Sequence, residues 1–179
     1  MAMTLITTNT ESNAASSSFT SSIDSTYKLY IFKFIDVNPA TNAAEFTFNG
    51  SIDGGSNYNV TKTTTSFNAY HSEGGGSPAV SYDTTNDLAQ STAFVSIAMD
   101  VSYDADSGLA GTLWLFNPSD TTYVTHFYST IPFMGYSTPN YQEVRRVGGY
   151  FNSTDNIDAV QFKMSSGNFD GTIKMYGVG

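Results

Sequence analysis

Cysteine is absent from the 179-residue chain, which excludes disulfide staples, thiolate nucleophiles and thiolate metal sites together. Charge is scarce as well. Charged residues make up 13% of the sequence, about half the usual share, and 16 acidic residues face only 7 basic ones. The net charge of −9 repels phosphate backbones and anionic lipid, because such partners are held by clustered Lys and Arg. The single adjacent basic pair is Arg145-Arg146. Neither nucleic acid nor a membrane is expected as a partner. No apolar run approaches the roughly 18 residues that cross a bilayer as a helix. The first residues carry neither the basic nor the apolar part of a secretory leader. A soluble chain made in a cytoplasm is the expectation.

What is present is aromatic and hydroxyl-bearing. The chain holds 12 Tyr and 13 Phe, with 23 Ser, 23 Thr, 14 Asn and 15 Gly. Those are core-formers, β-formers and turn-formers, a composition for one domain that folds without staples.

Residues 1–22 are rich in Thr, Ser and Asn and have few apolar positions. They read as an extended N-terminal arm, held by its own sheet, a neighbouring copy or a larger assembly. Residues 23–179 read as a single domain. Residues 27–35 are apolar at nearly every position, as in a central strand covered on both faces. Residues 45–53 alternate, with Phe46, Phe48 and Ile52 on one face. Two weaker Thr-rich strands are expected over 58–70. Alternation is clearest at 92–103, where Ala93, Val95, Ile97, Met99, Val101 and Tyr103 share a face. A turn at 104–108 and an apolar return over Leu109 to Phe116 make 92–116 a predicted hairpin. Tyr123 to Tyr136 is expected to be a strand pair or a bent strand, broken by Pro132. Further strands are expected at 143–151, 157–164 and 171–178. Residues 83–90 have room for one helical turn. The spacing predicts an all-β fold of nine to eleven strands, an antiparallel β-sandwich of jelly-roll type.

Catalytic constellations are weak. His126 lies within a strand and reads as a half-buried polar residue. His71 opens the glycine-rich loop 71–78, and a lone His-x-Glu with Glu73 is poor evidence for metal. The triple glycine lacks the Lys and the following helix of a phosphate cradle. Asp100, Asp104 and Asp106 carry the oxygen chemistry of a Ca²⁺ turn without its spacing. No pair of carboxylates is singled out for glycoside hydrolysis. Neither enzymatic activity nor a cofactor is expected. Glu143-Val144-Arg145-Arg146 stands out, because a strand there aims one arginine inward or into an interface, where a carboxylate must meet it. Trp114 and Phe116 oppose Leu113 and Leu115, so that strand is central or covered by another subunit. Core packing, a subunit contact and a sugar-stacking platform all remain open for Trp114. Glu143, Arg145, Arg146, Trp114 and Phe116 are the candidate interface residues.

The C-terminal stretch Ile157 to Gly177 contains Ser165-Ser166-Gly167-Asn168-Phe169, then Gly171-Thr172-Ile173-Lys174, then Tyr176-Gly177. It resembles a hairpin that recurs in virion proteins of tailed phages. Val160, Phe162 and Met164 would line one face, and Ile173 and Met175 would return to the same core. The resemblance implies a virion structural role, commonly as a trimer, and carries no catalytic residues. The first expectation is a capsid decoration protein that binds the major capsid protein or another virion protein. A tail-tip or fibre module that presents loops 71–78 and 83–90 to host glycans is the alternative. A small carbohydrate-active enzyme is a third, separable by whether two carboxylates share a cleft.

Overall fold

Tyr30, Phe32 and Phe34 alternate with Leu29, Ile31 and Lys33, and the chain resolves that alternation by sending one set inward and the other outward. The same device recurs along the computed structural model, which describes residues 2–76, 78–138 and 140–179. Met1 of the expected arm and Ser77 of the glycine-rich loop lie outside the described residues. Among the described residues there are twelve strands and no helix.

The strands are β1 (Met3–Ala14), β2 (Ser17–Phe19), β3 (Leu29–Pro39), β4 (Ala44–Ser51), β5 (Lys62–Ser72) and β6 (Ala79–Tyr82), followed by β7 (Val95–Val101), β8 (Leu109–Phe116), β9 (His126–Gly135), β10 (Tyr141–Phe151), β11 (Ala159–Met164) and β12 (Phe169–Val178). All ladders are antiparallel, and the main path runs β1-β12-β3-β8-β9-β7-β4-β11-β2, with β10, β5 and β6 branching from β9. The sheet is nearly closed and barrel-like. Its ends meet where the Asn9 amide on β1 donates to Ser17 Oγ at 3.0 Å and to the Ser18 carbonyl at 3.2 Å on β2. The other narrow join is the one pair Val101↔Gly135 between β7 and β9.

Phe162 on β11 sits at the centre of the interior. Its ring lies 5.1–6.2 Å from those of Phe19, Phe32, Phe34, Phe46 and Phe48. Phe32 and Phe34 belong to β3, which makes no ladder with β11 or β4. These contacts therefore cross the interior instead of running along the sheet.

Several sequence expectations are corrected by the pairing. Residues 92–116 form no hairpin: β7 pairs with β4, while β8 pairs with β3 and β9. Residues 157–178 form none either. Strand β11 pairs with β2 and β4, and β12 with β1 and β3. The burial of Val160, Phe162, Met164, Ile173 and Met175 in one core is as expected, but the turn between the strands crosses from one wall to the other. Residues 58–70 supply one long strand, β5, in place of two. Residues 83–90 form no helical turn and run along β5, with Asp83 N donating to Ser66 O, Thr64 N donating to Leu88 O, and Leu88 N donating to Thr64 Oγ1. The expected arm enters the sheet as β1 and β2, because the edge of β12 offers unpaired backbone groups that a Thr-rich strand satisfies.

Pro132 does not end β9. The β8–β9 ladder is interrupted opposite it, between Leu109↔Phe133 and Thr112↔Thr130, so the missing N–H leaves no partner orphaned. Gly171 is required where β3 bulges at Asp36. At a φ of 141°, a Cβ there would sit 2.8 Å from Val37 Cα.

Because Phe162 touches five rings, Phe162→Ala is expected to destabilise the chain by about 3–5 kcal/mol, measured by urea unfolding. A loss below about 1 kcal/mol would contradict the central place given to this ring.

Candidate functional site

The inner face of β10 begins with Tyr141, Glu143 and Arg145 and continues through Val147 to Phe151. Arg145 is fully buried and Glu143 nearly so. The carboxylate expected beside Arg145 is supplied by two residues: Nη1 donates to Asp83, and Nη2 lies 3.3 Å from Glu143 Oε1. Nη1 also donates to Ser66 Oγ at 3.2 Å. Of the two placements the pleat allowed, the ion pair takes the inward one. The strap at 83–90 brings Asp83 beside Ser66 in the middle of β5, a position that sequence spacing does not reveal. Burial works to raise the Asp83 carboxyl, but hydrogen bonds from Arg145, Thr85 and Asn86 outweigh it and hold it below its ordinary value. Burial dominates at Glu143 and pushes its carboxyl up, with Arg145 and Asn68 offsetting only part of the shift.

Arg146, one residue on, faces outward as the strand pleat requires. Its guanidinium carbon lies 5.9 Å from the Phe67 ring centroid on β5. Trp114 and Phe116 also face outward, opposite the buried Leu113 and Leu115. Residues directly opposite in a ladder share a face, so register assembles two outer rows. One runs Met3, Val178, Leu29, Phe116, His126, Tyr150; the other runs Leu5, Tyr176, Ile31, Trp114, Tyr128. Trp114 and Tyr128 stack with centroids 5.7 Å apart. The rows form an apolar and aromatic band across six strands. At its rim Met3, Leu5 and Phe116 are 48%, 50% and 42% exposed. The neighbouring row places Lys174 directly opposite Lys33, and Arg146 opposite Thr130. Three of the chain's 7 basic residues thus stand beside the band. His126 belongs to it and is exposed, where a half-buried residue was expected.

The other singled-out residues stay apart. His71 is exposed at the end of β5, opposite Gln142. Asp104 accepts from Ser102 Oγ and Asn140 Nδ2, and Asp100 sits in a bulge at a φ of 50°. Among the described residues no group of three or more His, Asp or Glu is arranged to hold a metal ion. No family model, no curated protein and no solved structure matches the chain.

Sequence reasoning missed Asp83, Tyr128 and the N-terminal Met3 and Leu5, since each joins its site through register. It also missed Lys62, which is fully buried beside Phe151 with Nζ donating to the Ala93 carbonyl. Burial pushes its ammonium down to about 8.

Two outcomes follow from these buried charges. Asp83→Ala is expected to cost about 3–5 kcal/mol by leaving Arg145 under-compensated, read from the urea midpoint; a neutral result would mean that the guanidinium is solvated. For Lys62, the unfolded chain keeps its proton up to about pH 10.4 while the native chain releases it near 8. The native state binds fewer protons in that window, so stability from this group rises with pH across it. Unfolding midpoints measured across the window are expected to show that rise in the parent chain and not in Lys62→Met.

Proposed function

We propose that the chain is a virion structural protein of a tailed phage, acting as a capsid decoration protein that docks through the outer face of its sheet. The observation that carries this reading is the apolar band across six strands. Its exposed members, Met3, Leu5, Phe116 and His126, border half-buried aromatic side chains on an outer face, and exposed apolar patches rimmed by polar residues mark interaction sites. Tryptophan and tyrosine supply contact area at low conformational cost. The opposed Lys33 and Lys174 repel each other in the isolated chain and are relieved by a partner that brings carboxylates. The resemblance of residues 157–177 to virion proteins is one of sequence alone, since no hairpin forms there, and it points to the same assignment.

We infer further that the closed sheet acts as two packed layers of jelly-roll type. One is β1-β12-β3-β8-β9-β10-β5-β6 and the other β7-β4-β11-β2, with Phe162 between them. In this reading the eight-stranded layer turns its outer face to the major capsid protein or another virion protein, and to neighbouring copies, with a trimer as the assembly. Decoration by many copies makes modest contacts sufficient.

Deleting residues 1–20 is a poor test, because it strips β1 and β2 from the sheet. Surface substitutions are cleaner. Leu5→Ser combined with Phe116→Ser is expected to leave the unfolding midpoint close to the parent's. The same variant is expected to lower occupancy on undecorated heads by about tenfold or more, counted by electron microscopy. Full occupancy by the folded variant would contradict docking through this face.

A further inference from the structure

A cavity of ≈ 380 Å³ opens next to the Asp83–Arg145–Glu143 triad, at the end of the sheet away from the Phe162 cluster. Its size sits at the lower end of the small-molecule range, roughly 300–1,000 Å³. The floor is Glu143 on β10 and Asn68 on β5, inner-face residues of neighbouring strands. Tyr70 and Tyr141 form two walls, their rings edge-to-face with centroids 6.1 Å apart. Hydroxyls of Ser72 and Ser137 stand at the rim.

The walls are fixed in place. Tyr141 pairs with Gly135 across β9–β10, and a methyl group on Gly135 would run into the Tyr141 ring. The glycine therefore seats the ring, as cross-strand aromatics do over sheet glycines. Burial, with Glu143 and Asp100 nearby, pushes the Tyr141 hydroxyl up to about 12, so it keeps its proton. Tyr70 is 38% exposed and supplies the open wall.

The chemistry narrows the ligand. The nearest cation, Arg145, is fully buried and committed to Asp83 and Glu143. Among the described residues no Lys or Arg lines the cavity, so a phosphate, sulfate or carboxylate finds no counter-charge in a chain of net charge −9. Arg145 carries one positive charge against the two carboxylates of Asp83 and Glu143, and burial favours the uncharged form of Glu143, so an ammonium ligand meets little fixed negative charge. What remains is an amide, hydroxyls and a carboxyl set beside two aromatic rings and the Met99 side chain. That combination suits a ligand with many neutral hydroxyls and apolar C–H faces: each hydroxyl both donates and accepts, and the C–H face packs on a ring. We propose that this cavity binds a neutral saccharide unit, with Tyr70 and Tyr141 against its ring and Glu143, Asn68 and the two serines on its hydroxyls. The site is separate from the outer band, and its failure would leave the docking proposal untouched.

The test uses the full chain on an array of neutral, sialylated and sulfated oligosaccharides, with choline added as a cationic probe by NMR titration. At least one neutral oligosaccharide is expected to bind with Kd at or below about 1 mM. Tyr70→Ala, at a partly exposed position, and Glu143→Gln, which keeps the side-chain volume, are each expected to weaken that binding by about tenfold or more. Tyr123→Ala, at a 72% exposed tyrosine outside the cavity lining, is expected to leave it unchanged. The proposal is overturned by absence of neutral-glycan binding, by binding confined to sialylated or sulfated glycans or to choline, or by undiminished binding in a folded Tyr70→Ala chain.

Discussion

Aromatic contact across the interior is the interaction on which the rest of the molecule depends. Backbone ladders bind each strand to its neighbours, yet the circuit is joined at one side only around the pair Val101↔Gly135, flanked by the bonds from Ser102 N to Met134 O and from Tyr136 N to Asp100 O. At the other it is joined by the side chain of Asn9. Neither join could hold the walls against the conformational entropy of the chain. The Phe162 ring, touching rings from β2, β3 and β4, supplies the apolar burial that does so. A chain without cysteine has no covalent alternative.

That arrangement explains which features were legible from the amino acids. Alternation reports much of what is buried: Phe46, Phe48, Val95, Phe162, Ile173 and Met175 lie in the core as read, whereas Ile52 and Tyr103, read on the same faces as their neighbours, are exposed beyond the strand ends. Alternation does not report which strand lies alongside. The turns at 104–108 and 165–168 have the composition of hairpin turns, but β9 lies between β7 and β8, and β11 pairs with β2 and β4 while β12 pairs with β1 and β3. Bulges added a second difficulty. In β7 the register against β4 shifts around Phe46, so Ala98 is buried while Met99 is only half-buried. Pro132 looked like a break and is tolerated because the ladder already gaps there.

The candidate sites show the same division. The inward turn of an arginine at 145–146 and its need for a carboxylate followed from the pleat and from the cost of a buried charge. The identity of Asp83 did not, since 62 residues separate the partners and only the strap along β5 brings them together. Trp114 was singled out by being unique, whereas the surface it belongs to is assembled from six strands by register. One sheet thus carries an aromatic interior that holds the fold and a row of aromatic side chains on its exterior. At one end is a pocket walled by Tyr70, Tyr141 and Met99, with Glu143 and Asn68 among its polar groups.

The most direct test of this account is the pattern of cross-strand backbone contacts at the C-terminus, measured by nuclear Overhauser effects on the labelled chain. The account requires contacts of Phe162 with Phe48 and of Ile173 with Phe34, with aromatic contacts from Phe162 to Phe32 and Phe34 across the interior. A continuous backbone ladder between Ala159–Met164 and Phe169–Val178 would place the two strands in one hairpin and contradict it.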